Sequence, residues 1–522
     1  MSTAEMADAM WRGVADADPR RTARLARLVL LRSEVSTERS RAHAALGLLM
    51  LRAGRGTEAR GHLDRALAAG PDDAAERLRL QAWAARAAAL DGAPGHATAG
   101  AREVLEVSSA RGDHVATCEA LNVLTLVDLC EGHVRSALQR AREAVALSES
   151  AAASVPRREM LNHLHLGLAL VEADRLDQAR AAFTKGHEDG EAGGPAGLHH
   201  LHRAFRSVVG FLAGSWDDAV ADARAGLAAA DGDSAAWLPL GLWSMIESSR
   251  LHDESARQLL ARAASEPAGA PPPFGAAWPA LGRSGESQDT AEAHEVLLEG
   301  WLASRGTPYL LTWRLLDPLL LRCALEVGDE PLVESLLVEA AAGAARAPDV
   351  PSARGAWLRV RALAHDDADA ARAAVEAYRS SGRLISLAQT CLEAARILGS
   401  RGERSEAVEL VAEAMRIFHQ LGARRWTERA GRLHLQLVEG AGLSEERPQP
   451  AGWEELTPAQ ARVARLAADG LTTAQIAEQL VITQHTVNSH MKSVYAKLNV
   501  SSRAQLAALF VPRTVWSDSL VP

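Results

Sequence analysis

Asn488, Ser489 and Lys492 fall close together near the C-terminal end of the sequence and offer an amide, a hydroxyl and an ammonium group. Side chains of these types read base edges in duplex DNA: Asn pairs best with adenine, and Lys favours guanine or a phosphate. The chemistry they suit is hydrogen-bonded recognition rather than bond making. Lysine usage points to the same stretch. The chain has only three lysines, Lys185, Lys492 and Lys497, and the last two lie here.

A helix must carry these groups. Val487, Met491, Val494 and Leu498 recur at helical spacing and make one apolar face, which leaves Asn488, Ser489 and Lys492 off it. Just upstream, Ile476, Ala477 and Leu480 repeat in the same way. Thr457 with Gln460, Thr472 with Gln475, and Ser502 with Gln505 predict three capping boxes, and Pro458 suits a first helical position. Gly470 is suited to close the first helix, and the Val481-Ile482 step separates the second from the third. A short helix, a tight turn and a second helix with a polar, cationic free face predict a helix-turn-helix that enters the major groove.

The stretch from Leu456 to Leu509 resembles the C-terminal DNA-binding domain of LuxR-type (NarL/FixJ-type) bacterial transcription regulators, through LTPAQ, LAADGLTT, IAEQL, TVNSH and KLNV in that order. The resemblance implies a small four-helix domain over 455–512 in which Asn488, Ser489 and Lys492 read bases. It implies phosphate contacts from Thr473, Thr483, Thr486 and Lys497, and a dimerising last helix with Leu506, Leu509 and Phe510. Burial within their own domain is the competing use of those three. Ala459 and Gln460 stand where the family has an Arg-Glu pair, and Asn488 stands where Lys is common, so no operator sequence carries over.

Phe418 to Leu437 resembles the last helices before that domain in the large ATP-binding (MalT-like) LuxR group. Members of the group carry a nucleotide-binding module. Here there is no G-x-x-x-x-G-K-[S/T] and no Gly-Lys pair, hence no loop to cradle phosphates.

The remainder must be an all-α body. At 522 residues there is material for about three or four domains. Aromatic content is 4% and apolar content 48%, with Ala, Leu and Arg dominant, which predicts helices packed through small residues. Net charge is −9, yet 456–512 carries about +3, so the body is acidic and leaves nucleic acid to the basic end.

Leu46-Gly47, Gly54, Ala59, Leu63, Ala66 and Pro71 match the spacing of a tetratricopeptide unit. Its Gly-x4-Ala turn recurs at Gly92 with Ala97, Gly132 with Ala137, and Gly214 with Ala219, and Asp174 with Ala179 fills the gap. Gly328, His365 with Ala370, and Gly402 with Ala407 continue the period farther on. The expected order is N-terminal helices over 1–40, tetratricopeptide-like repeats over 41–265, a Pro/Gly-rich loop or lid over 266–290 and a second array over 291–437. A flexible linker over 438–454, the helix-turn-helix domain over 455–512 and a tail over 513–522 follow. Stacked hairpins curve into a superhelix whose concave face is the natural surface for a small-molecule or protein effector.

Other chemistries find little support. There is no G-x-S-x-G elbow, and no residue is expected to be catalytic or to hold a cofactor. Cys118, Cys130, Cys323 and Cys391 are scattered and predict free thiols. His199, His200 and His202, with His163 and His165 one repeat earlier, are either metal ligands or packed and surface histidines; no companion acid or Cys has ligand spacing, and no metal is expected. Trp216, Trp237, Trp243 and Trp278 either line a small-molecule pocket or fill the core. No apolar run is long enough to span a membrane and no signal peptide is evident, so a cytoplasmic protein is expected. The sequence predicts a transcription regulator acting on double-stranded DNA as a homodimer or higher oligomer. The alternative is a tetratricopeptide adaptor with a vestigial DNA-binding domain.

Overall fold

The computed structural model describes residues 2–506 apart from 16–18, 72, 151–160, 193–198, 230–235, 266–276, 288, 305–312, 440–452, 469–470, 480–482, 499, 501 and 503–504. The chain forms two compact units, Met1–Leu437 and Val438–Pro522. Both are helical, and no strand occurs among the described residues.

The first unit is a succession of antiparallel helical hairpins, such as His114–Glu131 with Val134–Ser150 and Asn162–Glu172 with Leu176–Ala192. Hairpins turn on one residue with positive φ at Gly54, Gly92, Gly132, Asp174, Gly214, Gly328, Asp366 and Gly402. The turn closes like a Schellman cap: at Gly132, His133 N donates to Asp128 O at 2.7 Å. The small residue five places on lets the two helices approach, and Ala59, Ala97, Ala137, Ala179, Ala219 and Ala407 have no exposed surface. The later turn expected at His365 falls one residue on, at Asp366.

The body holds one turn that the sequence pattern did not mark, and one expectation needs correction. Leu251 also turns a hairpin, with φ 66° and Ala256 buried five places on. Leu is not a turn residue, so only the alanine could have marked it. The stretch 266–290, expected to be an interrupting loop or lid, contains the helix Ala277–Glu286, which pairs with Thr290–Ser304. The short turn between them falls midway between the turns at Leu251 and Gly328, so the repeat keeps its register. Trp278 is fully buried in this helix, and Gly241 makes room for it: a Cβ at 241 would lie 2.4 Å from the carbonyl carbon of Trp278. Pro279 sits in the first turn, where a missing N–H costs nothing. The Pro- and Gly-rich residues 266–276 lie outside the described residues.

The array also folds back on itself. Turns inside the hairpins of its first half meet turns between the hairpins of its second half, in step along both. Arg346 donates to Glu131 O at 3.2 Å, and Arg135 pairs with Asp349. One repeat on, the Asp174 carboxylate, 3% exposed, accepts from Ser352 N, Ser352 Oγ and Arg383 Nε, each at 2.7 Å. Beside it Arg314 binds Glu172 at 2.8 Å, and Arg383 donates to Val171 O at 2.7 Å. Next, Gly214 is pressed against Leu384 and Leu421, and Arg425 donates to Ser248 O at 3.0 Å and pairs with Asp253. This seam borders two cavities of about 470 and 390 Å³.

The remaining candidates resolve as packing. Trp237 and Trp278 are buried in the core, while Trp216, also buried and stacked on Phe211, lines the smaller of the two cavities. The cysteines form no disulfide, and burial pushes the Cys118, Cys130 and Cys391 thiols up to about 12. His165, His187, His200 and His202 are buried between neighbouring helices, and the side chain of His199 lies outside the described residues. Among the described residues no cluster of His, Cys, Asp or Glu has the arrangement of a metal site.

Burial holds His165 and His202 down at about 3, with Arg86 adding to the effect on His165 and the surrounding histidines, His163 first, to that on His202. Unfolding frees both to protonate near 6.5. Stability is therefore full above that pH and falls as the pH drops below it. The repeat unit is expected to melt at a lower temperature at pH 5.5 than at pH 7.5, and Gln at both positions is expected to flatten that dependence.

Candidate nucleic-acid interface

The second unit is built on three helices, Pro458–Ala468, Thr473–Gln479 and Gln484–Lys497, the third packed on the other two. The capping boxes form as the spacing dictates. Thr457 N donates to Gln460 Oε1 at 3.1 Å and Gln460 N to Thr457 Oγ1 at 3.3 Å, and Thr472 and Gln475 exchange the equivalent pair at 2.8 and 3.3 Å. Gln505 N donates to Ser502 Oγ at 3.2 Å, which starts the next helix at Gln505 and Leu506. Thr483 caps the third helix, accepting from Thr486 N at 3.2 Å. Gly470, Leu480, Val481 and Ile482 lie outside the described residues.

Val487, Met491, Val494 and Leu498 are buried against Val463, Ile476 and Ala477. This fixes the rotation of the third helix about its axis. Asn488, Ser489 and Lys492 are consequently exposed together, the latter two on the turn that follows Asn488. Gln484 and His485 are exposed in the first turn, at the end of a recognition helix that normally meets base edges; the sequence reading passed over them because they precede the apolar ladder. Among the residues expected at phosphates, Thr483 is exposed, and Thr473 and Thr486 are half-buried at helix N-termini.

Lys497 has a different setting from these three threonines. Its ammonium donates to Glu455 O at 2.6 Å and to Gln460 Oε1 at 2.9 Å, tying the end of the third helix to the start of the first. Gln460, where the family has a charged residue, thus gains a cationic partner inside the domain. Lys497→Ala is expected to lower the stability of this unit by about 1 kcal/mol, read by its thermal transition, since two charge-assisted bonds at a half-exposed site are lost.

One boundary changes, and one open alternative is decided. Trp453, assigned to the linker from its Gly- and Pro-rich neighbours, is buried in the core of the domain with the Arg465 guanidinium 5.4 Å from its ring centroid. Leu506, expected on a dimerising face, is fully buried in the same core and has no surface to offer a partner. Burying a large apolar side chain against its own domain takes precedence in a unit this small. Leu509, Phe510 and the tail lie outside the described residues, as do 440–452 of the expected linker.

Comparison with known proteins agrees with this geometry. Over 62 residues the chain is 47% identical to the proteins named as HTH-type transcriptional regulators Mb0914c of Mycobacterium bovis and Rv0890c of Mycobacterium tuberculosis, a match covering 12% of this chain. The chain spans about 7% of the length of these curated relatives. Among solved structures, the chain is similar to yeast Tom70, with 11% identity over 85% of this chain and 99% of that one, at a TM-score of 0.27. The Cut9-Hcn1 hetero-tetramer of the APC/C is 13% identical over 81% of this chain and 95% of that one, at a TM-score of 0.28. The family model for bacterial regulatory proteins of the luxR family matches residues 454–510. The C-terminal unit of the chain therefore belongs, over 454–510, to the luxR family of bacterial regulatory proteins as their helix-turn-helix domain.

Proposed function

We propose that this protein is a sequence-specific DNA-binding transcription regulator whose helical-repeat body receives a small molecule or a partner protein. The observation that carries the DNA-reading half is the joint exposure of Asn488, Ser489 and Lys492 on a helix locked from behind by Val487, Met491 and Val494. Asn488, Ser489 and Lys492 read base edges, and Thr473, Thr483 and Thr486 hold phosphates at the flanks. Lys497 serves first to staple the domain and only through its third N–H to approach a phosphate. Two domains of a homodimer engage half-sites about one helical turn, roughly 10 base pairs, apart. With Leu506 buried, Leu509 and Phe510 remain the candidates for the contact between copies. No described helix is long and apolar enough to cross a membrane, which is compatible with a cytoplasmic regulator.

Selection of bound duplexes from a random DNA pool tests the reading. The full chain is expected to enrich one motif, with half-sites in the spacing above, and a chain truncated before Leu456 is expected to enrich none. Equal recovery by both chains, or no motif from either, would leave the repeat body as a protein adaptor.

A further inference from the structure

The smaller of the two seam cavities has the chemistry of a small-molecule site. Its apolar lining comes from Phe211 in the first half of the array, from Leu281 and Leu297 of one hairpin, and from Ile385 in the second half. At about 390 Å³ it has the size of a drug-like ligand. Arg322, Arg429 and Arg432 line it as well, and among the described residues neither Arg429 nor Arg432 has a carboxylate within ion-pair distance. Arg322 reaches only Glu393, at 4.0 Å, and both oxygens of that carboxylate already accept from Arg359 at 2.6 and 2.7 Å.

The acids at the rim are partly engaged: Glu326 accepts from Thr290 Oγ1 at 2.8 Å and Asp289 caps Ala291 N at 2.9 Å, while Glu428 is exposed. Arg429 lies over Trp426, 5.4 Å from the ring centroid. The Arg429 side chain is exposed, with the Arg322, Arg432 and Arg396 guanidinium groups and the Glu326 carboxylate as its charged surroundings. A separate observation comes from inside. The Ser248 hydroxyl, on a residue 1% exposed that lines the cavity, has no partner among the described residues. Buried polar groups are ordinarily bonded, so an orphan hydroxyl beside an apolar floor marks a place for a ligand atom.

We infer that this cavity binds a small amphipathic anion, an apolar ring system carrying one carboxylate or sulfonate. The ring lies on Phe211, Leu281 and Leu297, the anionic group meets Arg322 and Arg429, and a polar ring substituent reaches Ser248. Because the walls come from both halves of the array, occupancy draws the seam together there. The inference rests on the sensing role proposed above for the repeat body and gives that role a ligand class.

The test is an equilibrium fluorescence titration of the full chain with anilinonaphthalene sulfonate and with its uncharged counterpart, N-phenylnaphthylamine. Saturable binding of the sulfonate at one site, at least about tenfold tighter than the neutral dye, is expected, since a charge-assisted contact distinguishes them. The double substitution Arg322→Gln with Arg429→Gln is expected to remove that preference and leave the neutral dye unchanged. Gly285→Leu, whose added Cβ would lie 3.4 Å from Ser248 Oγ and whose side chain would occupy the cavity beside it, is expected to weaken both dyes. If the pair of arginine substitutions unfolds the chain, exposed Arg432→Gln takes its place, with a smaller loss of the same preference expected. Equal affinity for the two dyes, or a preference that survives the arginine substitutions, overturns the inference. DNA selection on the same preparations separates the two proposals: a motif enriched by a chain lacking the dye site overturns this one alone, and a dye site with the stated preference in a chain that enriches no motif supports this one and removes the DNA reading.

Discussion

Asp174→Ala is expected to destabilise the repeat unit by about 3–5 kcal/mol, the usual cost of removing one member of a buried ion pair. The carboxylate holds Ser352 by two bonds and Arg383 by one, all at 2.7 Å, and Arg383 is 1% exposed in its side chain. Without Asp174, Arg383 keeps one hydrogen bond, to the carbonyl of Val171, with the Glu172 charge nearby, and its own charge stays buried. Arg314 suffers less because Glu172 remains at 2.8 Å. Asp174 also stands at φ 58°, where a Cβ is strained, so Asp174→Gly is expected to be milder than Ala by about 1 kcal/mol. Urea unfolding of the three chains measures both differences. If Ala and Gly both unfold with the parent, the seam is not held here.

The second large effect concerns the exposed face of the third helix. Lys492→Ala is expected to weaken binding to the selected operator by about 1–3 kcal/mol, the range for a good base contact, with less effect on a scrambled duplex. Asn488→Ala is expected to relax preference at one base pair, of which adenine is the natural partner. Both residues are exposed, so the thermal transition should not move. Anisotropy titrations at two salt concentrations separate the alternatives. A phosphate contact by Lys492 would instead weaken all sequences alike and lower the salt slope by about 1. Parent affinity and preference in both variants would remove these residues from the reading surface.

Local interactions were legible because they depend only on near neighbours in the chain. Thr457 with Gln460 and Thr472 with Gln475 form their capping boxes because both partners sit in one turn. The ladder from Val487 to Leu498 buries because its period matches the helix, and that alone turned Asn488, Ser489 and Lys492 outward. The Gly-x4-Ala turns were visible for the same reason. Where the turn residue was atypical, as at Leu251, the local signal failed, and the helix from Ala277 to Glu286 was obscured by the Pro and Gly residues before it.

What only the tertiary structure decided are the contacts between residues far apart in sequence. Asp174 looked like a substitute for a turn glycine, yet its side chain bridges to Ser352 and Arg383. Trp453 and Leu506 belong to the core of the C-terminal unit because large apolar surface goes where a complementary hollow exists, which composition around them does not report. The cavity under Arg322 and Arg429 exists because the array folds back on itself. Periodicity sets which face of each helix is apolar, but the partner that covers the face is chosen by shape and charge across hundreds of residues.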